Sequence, residues 1–251
     1  GSPFAYIVPV SFFSFFQSIE DFALKSPAGT FMRILRLLGT LLAVTLPAIY
    51  LGINYFHQEA LPTELALAIA AAREQVPFPA LIEIILMEMS FELIREAGLR
   101  VPGLLGSTIG IVGAIVLGQA AVTAKIVSPI MVVIIAITGL GSFAIPDYRL
   151  AFGLRISRFA FLGLAAWLGL VGVAFGLFLF TVSMCSMKSF GMPFMAPIGP
   201  RTIAGVDVIV RGPVYRQERR PDELDTLDIQ RQPSISRQWV QEPPVGSENN
   251  D

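Results

Sequence analysis

Five ionisable side chains stand in a stretch that is otherwise apolar. Glu83, Glu88, Glu92, Arg95 and Glu96 lie within Pro79–Ala97, among Leu, Ile, Met and Phe. A carboxylate placed in hydrocarbon is costly, so such residues mark functional or partnered positions by default. At 100° per residue, Glu88, Glu92, Arg95 and Glu96 fall within roughly 100° of one another on a helix, and Glu83 falls on the other side. Two uses fit that face. In several copies around an axis, Glu88 and Glu92 form acidic rings that select cations. On a surface helix, the same acids pair with Arg73, Arg95 or Arg100 at a subunit contact.

A second pattern lies in Leu104–Val122, which carries no charge and is rich in small residues: Gly106, Ser107, Gly110, Gly113, Ala114 and Gly118. Gly106 and Gly110 are one GxxxG step, and Gly172 and Gly176 are another. Small faces let helices approach closely, so packing is the plain use of these glycines. The sharper use is a pore wall, in which Ile109, Val112 and Val116 form a narrow apolar ring that gates by dewetting, with Gln119 and Lys125 as a polar mouth. Catalytic chemistry has little to stand on. The one histidine, His57, reads as a loop residue, and the one cysteine, Cys185, as a small apolar filler. Metal clusters, disulfides and a Ser-His-Asp triad are therefore not expected. Gly139 and Gly141 form a lone GxG outside any strand–helix frame, which is no nucleotide site. No cofactor is implied.

The elements that must position these residues follow from composition. Hydrophobic residues make up 54% of the 251, charged residues only 15%, and mean hydropathy is +0.67. That is too little charge to coat a soluble protein of this size, so an integral membrane protein is expected. A net charge of −1 does not suit nucleic-acid binding. Four stretches have the length and polarity of spanning helices: Phe31–Phe56 with a kink at Pro47, Leu104–Val122, Pro129–Ile145 and Phe159–Cys185. Ser128-Pro129 reads as an N-cap followed by proline at the first helical position. The expected class is all-α and polytopic, with about four spanning helices plus the acidic helix, either interfacial or buried. Residues 1–30 read as a juxtamembrane segment, 31–200 as the transmembrane domain and 201–251 as a soluble tail. The tail holds 7 of the 18 basic and 9 of the 19 acidic residues, and from about 233 its Pro, Ser, Asn and Gln predict disorder. The chain begins Gly1-Ser2-Pro3 without methionine, so a preceding domain is expected.

Lys25, Arg33 and Arg36 place the start of the first span in the cytoplasm, and the basic start of the tail prefers the same side. Both ends inside requires an even number of crossings. Among five stretches, the acidic one is then expected not to cross. This scheme leaves Arg149, Arg155 and Arg158 on the outer side, where the positive-inside rule does not want them, and letting all five cross moves those arginines inside but exports the tail.

Several segments carry a resemblance. They are Pro9-Val10-Ser11-Phe12-Phe13 through Phe16-Gln17-Ser18-Ile19-Glu20-Asp21-Phe22, Ala70 to Pro79, Leu86-Met87-Glu88-Met89-Ser90-Phe91-Glu92 with Arg95-Glu96-Ala97-Gly98, Ile111 to Val122, and Ser189-Phe190-Gly191-Met192-Pro193 with Ala196-Pro197. Together with the tail's Arg219-Arg220-Pro221, over about residues 4–235, they resemble the membrane region of the A subunit of GerA-type spore germinant receptors. The resemblance implies a multi-pass protein of the spore inner membrane with a large cytoplasmic N-terminal domain, absent here. It implies a transporter-like B subunit and a lipoprotein C subunit as partners, beside membrane lipid and further copies of the chain. It also implies assembly into a homo-oligomeric ion channel that releases monovalent cations when germinant is sensed. The accessory SpoVAF type is similar over the same region. A non-conducting membrane scaffold is the rival reading, and a secondary transporter lacks the inverted repeat it would need.

Overall fold

The computed structural model describes residues 8–101, 104–200, 208–212, 219–220 and 227–231, with side chains omitted at residue 99, residues 104–112 and residue 114. The apolar runs fold as helices because the chain can then satisfy its backbone internally. In order they are α1 (Ile19–Ala23), α2 (Ser26–Phe56), α3 (Thr63–Arg73), α4 (Ala80–Arg100), α5 (Leu104–Thr123), α6 (Pro129–Phe143) and α7 (Tyr148–Ser186), followed by a hairpin of β1 (Lys188–Ser189) and β2 (Met192–Pro193). The chain is thus mostly helical, and α2 and α7 are the two described helices long and apolar enough to cross a membrane. α6 is apolar but only 15 residues long. Polar side chains inside α2 bond back to their own helix. Thr40, Thr45 and Asn54 donate to the carbonyls of Arg36, Leu41 and Tyr50 at 2.7–2.9 Å.

The chain divides into two compact units, residues 1–34 with 183–251, and residues 35–182. The first brings an early and a late segment of the chain together. Phe12 N–H donates to the carbonyl of Phe194 at 2.8 Å, and the Phe12 ring packs edgewise on Phe13, Phe16 and Phe194. Arg211, 5% exposed, reaches in among the first turns of the chain. Its guanidinium donates to the carbonyls of Phe22 and Leu24, its N–H donates to Thr30 Oγ1, and its carbonyl accepts from the Ser26 hydroxyl. Arg33, also buried, donates to the Val208 carbonyl at 3.1 Å and lies 3.7 Å from the Asp21 carboxylate. Cys185 is exposed, not a packed filler.

The second unit is built around Val44, Leu51, Ile84, Met131, Leu162 and Val173, all buried. α2 and α6 touch through glycine, and a methyl at Gly141 would strike the Gly39 carbonyl. α4 lies antiparallel to α5, with Ile94 against Gly113. α6 runs alongside α4, since Glu83 meets Ser128 near one end and Arg95 meets Ser142 near the other.

α7 departs from the single tilted span expected for Phe159–Cys185. Gly169 has φ 63° and ψ −142°, outside the helical region. The Phe161 and Phe180 rings lie 6.3 Å apart, where a straight helix rising 1.5 Å per residue would separate them by about 28 Å. The helix therefore turns back on itself at Gly169, as two arms covering residues 148–168 and 170–186. Glycine is required there because φ is positive and because a Cβ would come within 2.9 Å of Phe56. Gly172 and Gly176 pack inside this turn, against Leu164 and Phe161. α7 also starts at Tyr148, taking Arg149, Arg155 and Arg158 into the helix.

A candidate functional site: the ion-pair ladder of α4

The acids of α4 enter the protein interior. Glu83 is 0% exposed and Glu88 is 1% exposed. Each finds a cation on a neighbouring element, as burial of charge requires. Glu83 accepts from Arg73 Nε on α3 at 3.3 Å, and its other oxygen accepts the backbone N–H of Ser128 at 3.0 Å. The α6 N-terminus is thereby capped by a carboxylate from α4, while the Ser128 hydroxyl makes no cap bond. Five residues on, Glu88 Oε2 pairs with Arg158 of α7, which is 2% exposed. Glu92 is gripped twice, at Oε1 by Arg95 at 3.1 Å and at Oε2 by Arg155 at 2.9 Å.

Arg95 ties α4 to α6. Beyond Glu92 it donates to Ser142 Oγ of α6 at 2.6 Å, and Ser142 in turn donates to the Gly139 carbonyl. Its guanidinium sits over the Phe91 ring at 4.9 Å and the Phe143 ring at 4.5 Å. Gly139 makes room for Phe91, whose ring would lie 2.5 Å from a Cβ at that position. Arg155 likewise lies over Tyr148 and Phe152. Glu96 pairs with Arg100 outside this packing, both exposed.

The face of Glu88, Glu92 and Arg95 foreseen in the sequence is thus a contact surface toward α6 and α7. The sequence reading paired the acids with Arg73, Arg95 and Arg100, and missed Arg155, Arg158, Ser128 and Ser142. Its one signal for them was the charge misfit of Arg155 and Arg158. Buried and paired inside the bundle, these two do not act as loop charges. Glu88 Oε1, Arg158 Nε and Arg95 Nε have no hydrogen-bond partner. Among the described residues no three His, Cys, Asp or Glu side chains could hold a metal ion.

The pore candidates of α5 divide. Ile109 and Val112, with Gly106 and Gly110, belong to α5 by backbone, and their side-chain surroundings lie outside the described residues. Val116 is 59% exposed, its neighbour Ile115 56%, and Gln119 is exposed. Ile115, Gly118, Gln119, Val122, Pro129 and Val132 line an open groove of about 630 Å³ between α5 and α6. Gly113 makes an ordinary contact with Ile94 at 3.6 Å.

The chain is similar to known proteins over most of its length. A family model described as Bacillus/Clostridium GerA spore germination protein matches residues 1–223. Spore germination protein KA of Bacillus subtilis is 45% identical over 233 residues, covering 92% of this chain and 43% of the relative. Spore germination protein GerLA of Bacillus cereus is 42% identical over 229 residues, covering 91% and 46%. An uncharacterized membrane protein, YfkQ of Bacillus subtilis, is 40% identical over 222 residues, covering 88% and 43%. The chain therefore spans a little under half the length of these relatives. No solved structure matches.

Proposed function

Because this chain belongs to the Bacillus/Clostridium GerA spore germination protein family, we propose that it is the membrane part of an A-type germinant-receptor subunit, copies of which surround an ion path. The observation that carries this reading is the uncovered face of α5. Val116 and Ile115 are more than half exposed while the neighbouring acids are occupied by arginines. In a membrane such a face meets lipid, another copy of the chain or a lumen, and this reading assigns it to the lumen. Around an axis of copies, Ile109, Val112 and Val116 form the dry constriction and Gln119 forms its mouth, while Gly113 packs inward on Ile94 of α4. The α4 charges then hold the wall together instead of lining the path.

The fold-back of α7 supports a larger count of crossings. With the segments before α2 and after α7 joined in one unit, an even number is needed. In this reading α2, α4, α5, α6 and the two arms of α7 make six crossings, α4 among them, in place of the four expected from sequence. Arg149 then falls on the cytoplasmic side with the tail, and the misfit in the positive-inside rule disappears. The location proposed is the spore inner membrane, with the transporter-like B subunit and the lipoprotein C subunit as partners. No catalytic step enters this function.

The deciding experiment is cation flux from liposomes holding the purified protein, together with its mass in native lipid. Flux from an oligomer supports the channel. A folded oligomer without flux favours the scaffold or accessory reading, which the fully occupied Glu92 also suits. A strict monomer counts against both.

A further inference from the structure

The hairpin after α7 turns on Phe190 and Gly191, with φ of 50° and 90°. In such a two-residue turn the first position favours Asn, Asp or Gly, and a bulky aromatic is out of place. Phe190 is also 83% exposed. Neither backbone preference nor packing within the protein accounts for a ring at that position. Its support, by contrast, is firmly held. Val10 N–H donates to Ser189 Oγ at 3.2 Å, Phe194 N–H donates to the Met187 carbonyl at 3.0 Å, and Met192 and Ala196 are 6% and 0% exposed. The ring is therefore displayed on a fixed base, directly after the apolar second arm of α7, residues 170–186.

Its surroundings on the hairpin indicate what meets it. Lys188 is exposed, Met187 is 44% exposed and Ile198 is 57% exposed. An aromatic ring beside an ammonium group at the end of an apolar helix suits the boundary between acyl chains and headgroups. A purely apolar protein pocket would satisfy the ring and strand the lysine, whereas lipid phosphate answers Lys188 while acyl chains answer Phe190. We propose that the Phe190 tip is a lipid anchor, its ring in the headgroup–acyl zone of the leaflet where α7 ends and Lys188 on lipid phosphate. The proposal rests on the membrane reading of α7.

The test keeps the two apart. In Cys185→Ser protein reconstituted into phosphatidylcholine–phosphatidylglycerol vesicles, an environment-sensitive fluorophore is attached at Phe190→Cys or, separately, at Phe178→Cys on α7, which is 63% exposed. The expected result is quenching at 178 by lipids spin-labelled deep in the acyl chain and at 190 by lipids labelled near the headgroup. Iodide should quench at 190 several-fold less than at Asp228→Cys. Deep quenching at 178 with iodide quenching at 190 overturns the anchor alone. So does shielding at 190 from both lipid and iodide, which would place the tip against protein. Iodide quenching at 178 overturns the membrane reading and the anchor with it.

Discussion

A carboxylate with both oxygens held by guanidinium groups cannot coordinate a passing cation without releasing a partner. Glu92 is in that state, and Glu88 is half so, with Arg158 on one oxygen only. Removing one member of a buried pair strands the other charge, at a cost of about 3–5 kcal/mol. Arg158→Ala should therefore lower the thermal unfolding midpoint in detergent sharply, and Glu88→Gln with Arg158→Gln should recover much of the loss. Arg100→Ala, at an exposed pair, should do little. Equal effects of the Arg158 and Arg100 changes would mean that Glu88 is not buried as described. The second prediction at this scale concerns Val116. Shrinking it to Ala widens and wets the proposed constriction, so resting cation leak from liposomes should rise several-fold at unchanged protein level. Normal retention with Ala at 109, 112 and 116 together would make α5 a packing helix. At this scale the sequence exposed the acids, because charge in an apolar run is conspicuous. It hid their partners, because Arg155 and Arg158 are distant in the chain and look like ordinary flanking charge.

At the level of elements, glycine separates into kinds that the chain alone does not distinguish. Gly153 and Gly163 have nothing within 4 Å of where a Cβ would stand. Gly169 has positive φ and Phe56 against it, and Gly141 faces the Gly39 carbonyl. Gly153→Ala should stabilise the protein by about 0.5–1 kcal/mol through helix propensity. Gly169→Ala should destabilise it by about 2–4 kcal/mol, the sum of left-handed backbone and overpacking. Thermal unfolding of the two variants checks both signs, and a neutral Gly169→Ala would mean that α7 is straight. This is why the α7 turn was not legible. Gly163, Gly169, Gly172 and Gly176 sit in one apolar run, where each reads as helix packing. The start of α6 was legible, since Ser128-Pro129 is a local signal that needs no tertiary contact to be recognised.

For the molecule as a whole, the proposed six crossings and the four expected from sequence place the same two turns on opposite sides. With the cytoplasmic end of α2 fixed, six crossings put Arg100 inside and Lys125 outside, and four crossings reverse both. Single cysteines at 100, 125 and 225, each in Cys185→Ser protein, can be labelled from outside in intact cells. Six crossings predict labelling at 125 alone, whereas labelling at 100 would restore the smaller count and labelling at 225 would put the tail outside. The grip of Arg211 on the joint between α1 and α2 has a consequence in time. Its guanidinium closes on the Leu24 carbonyl across 187 residues of chain. At synthesis rates of about 5–20 residues per second, roughly 10–40 s pass between the emergence of one partner and the other. The joint at the start of the first span must wait, its carbonyls hydrated, until every later helix has left the ribosome. This early bend of the chain is thus among the last to be completed, and a nascent chain stopped short of residue 211 would carry that bend unfinished.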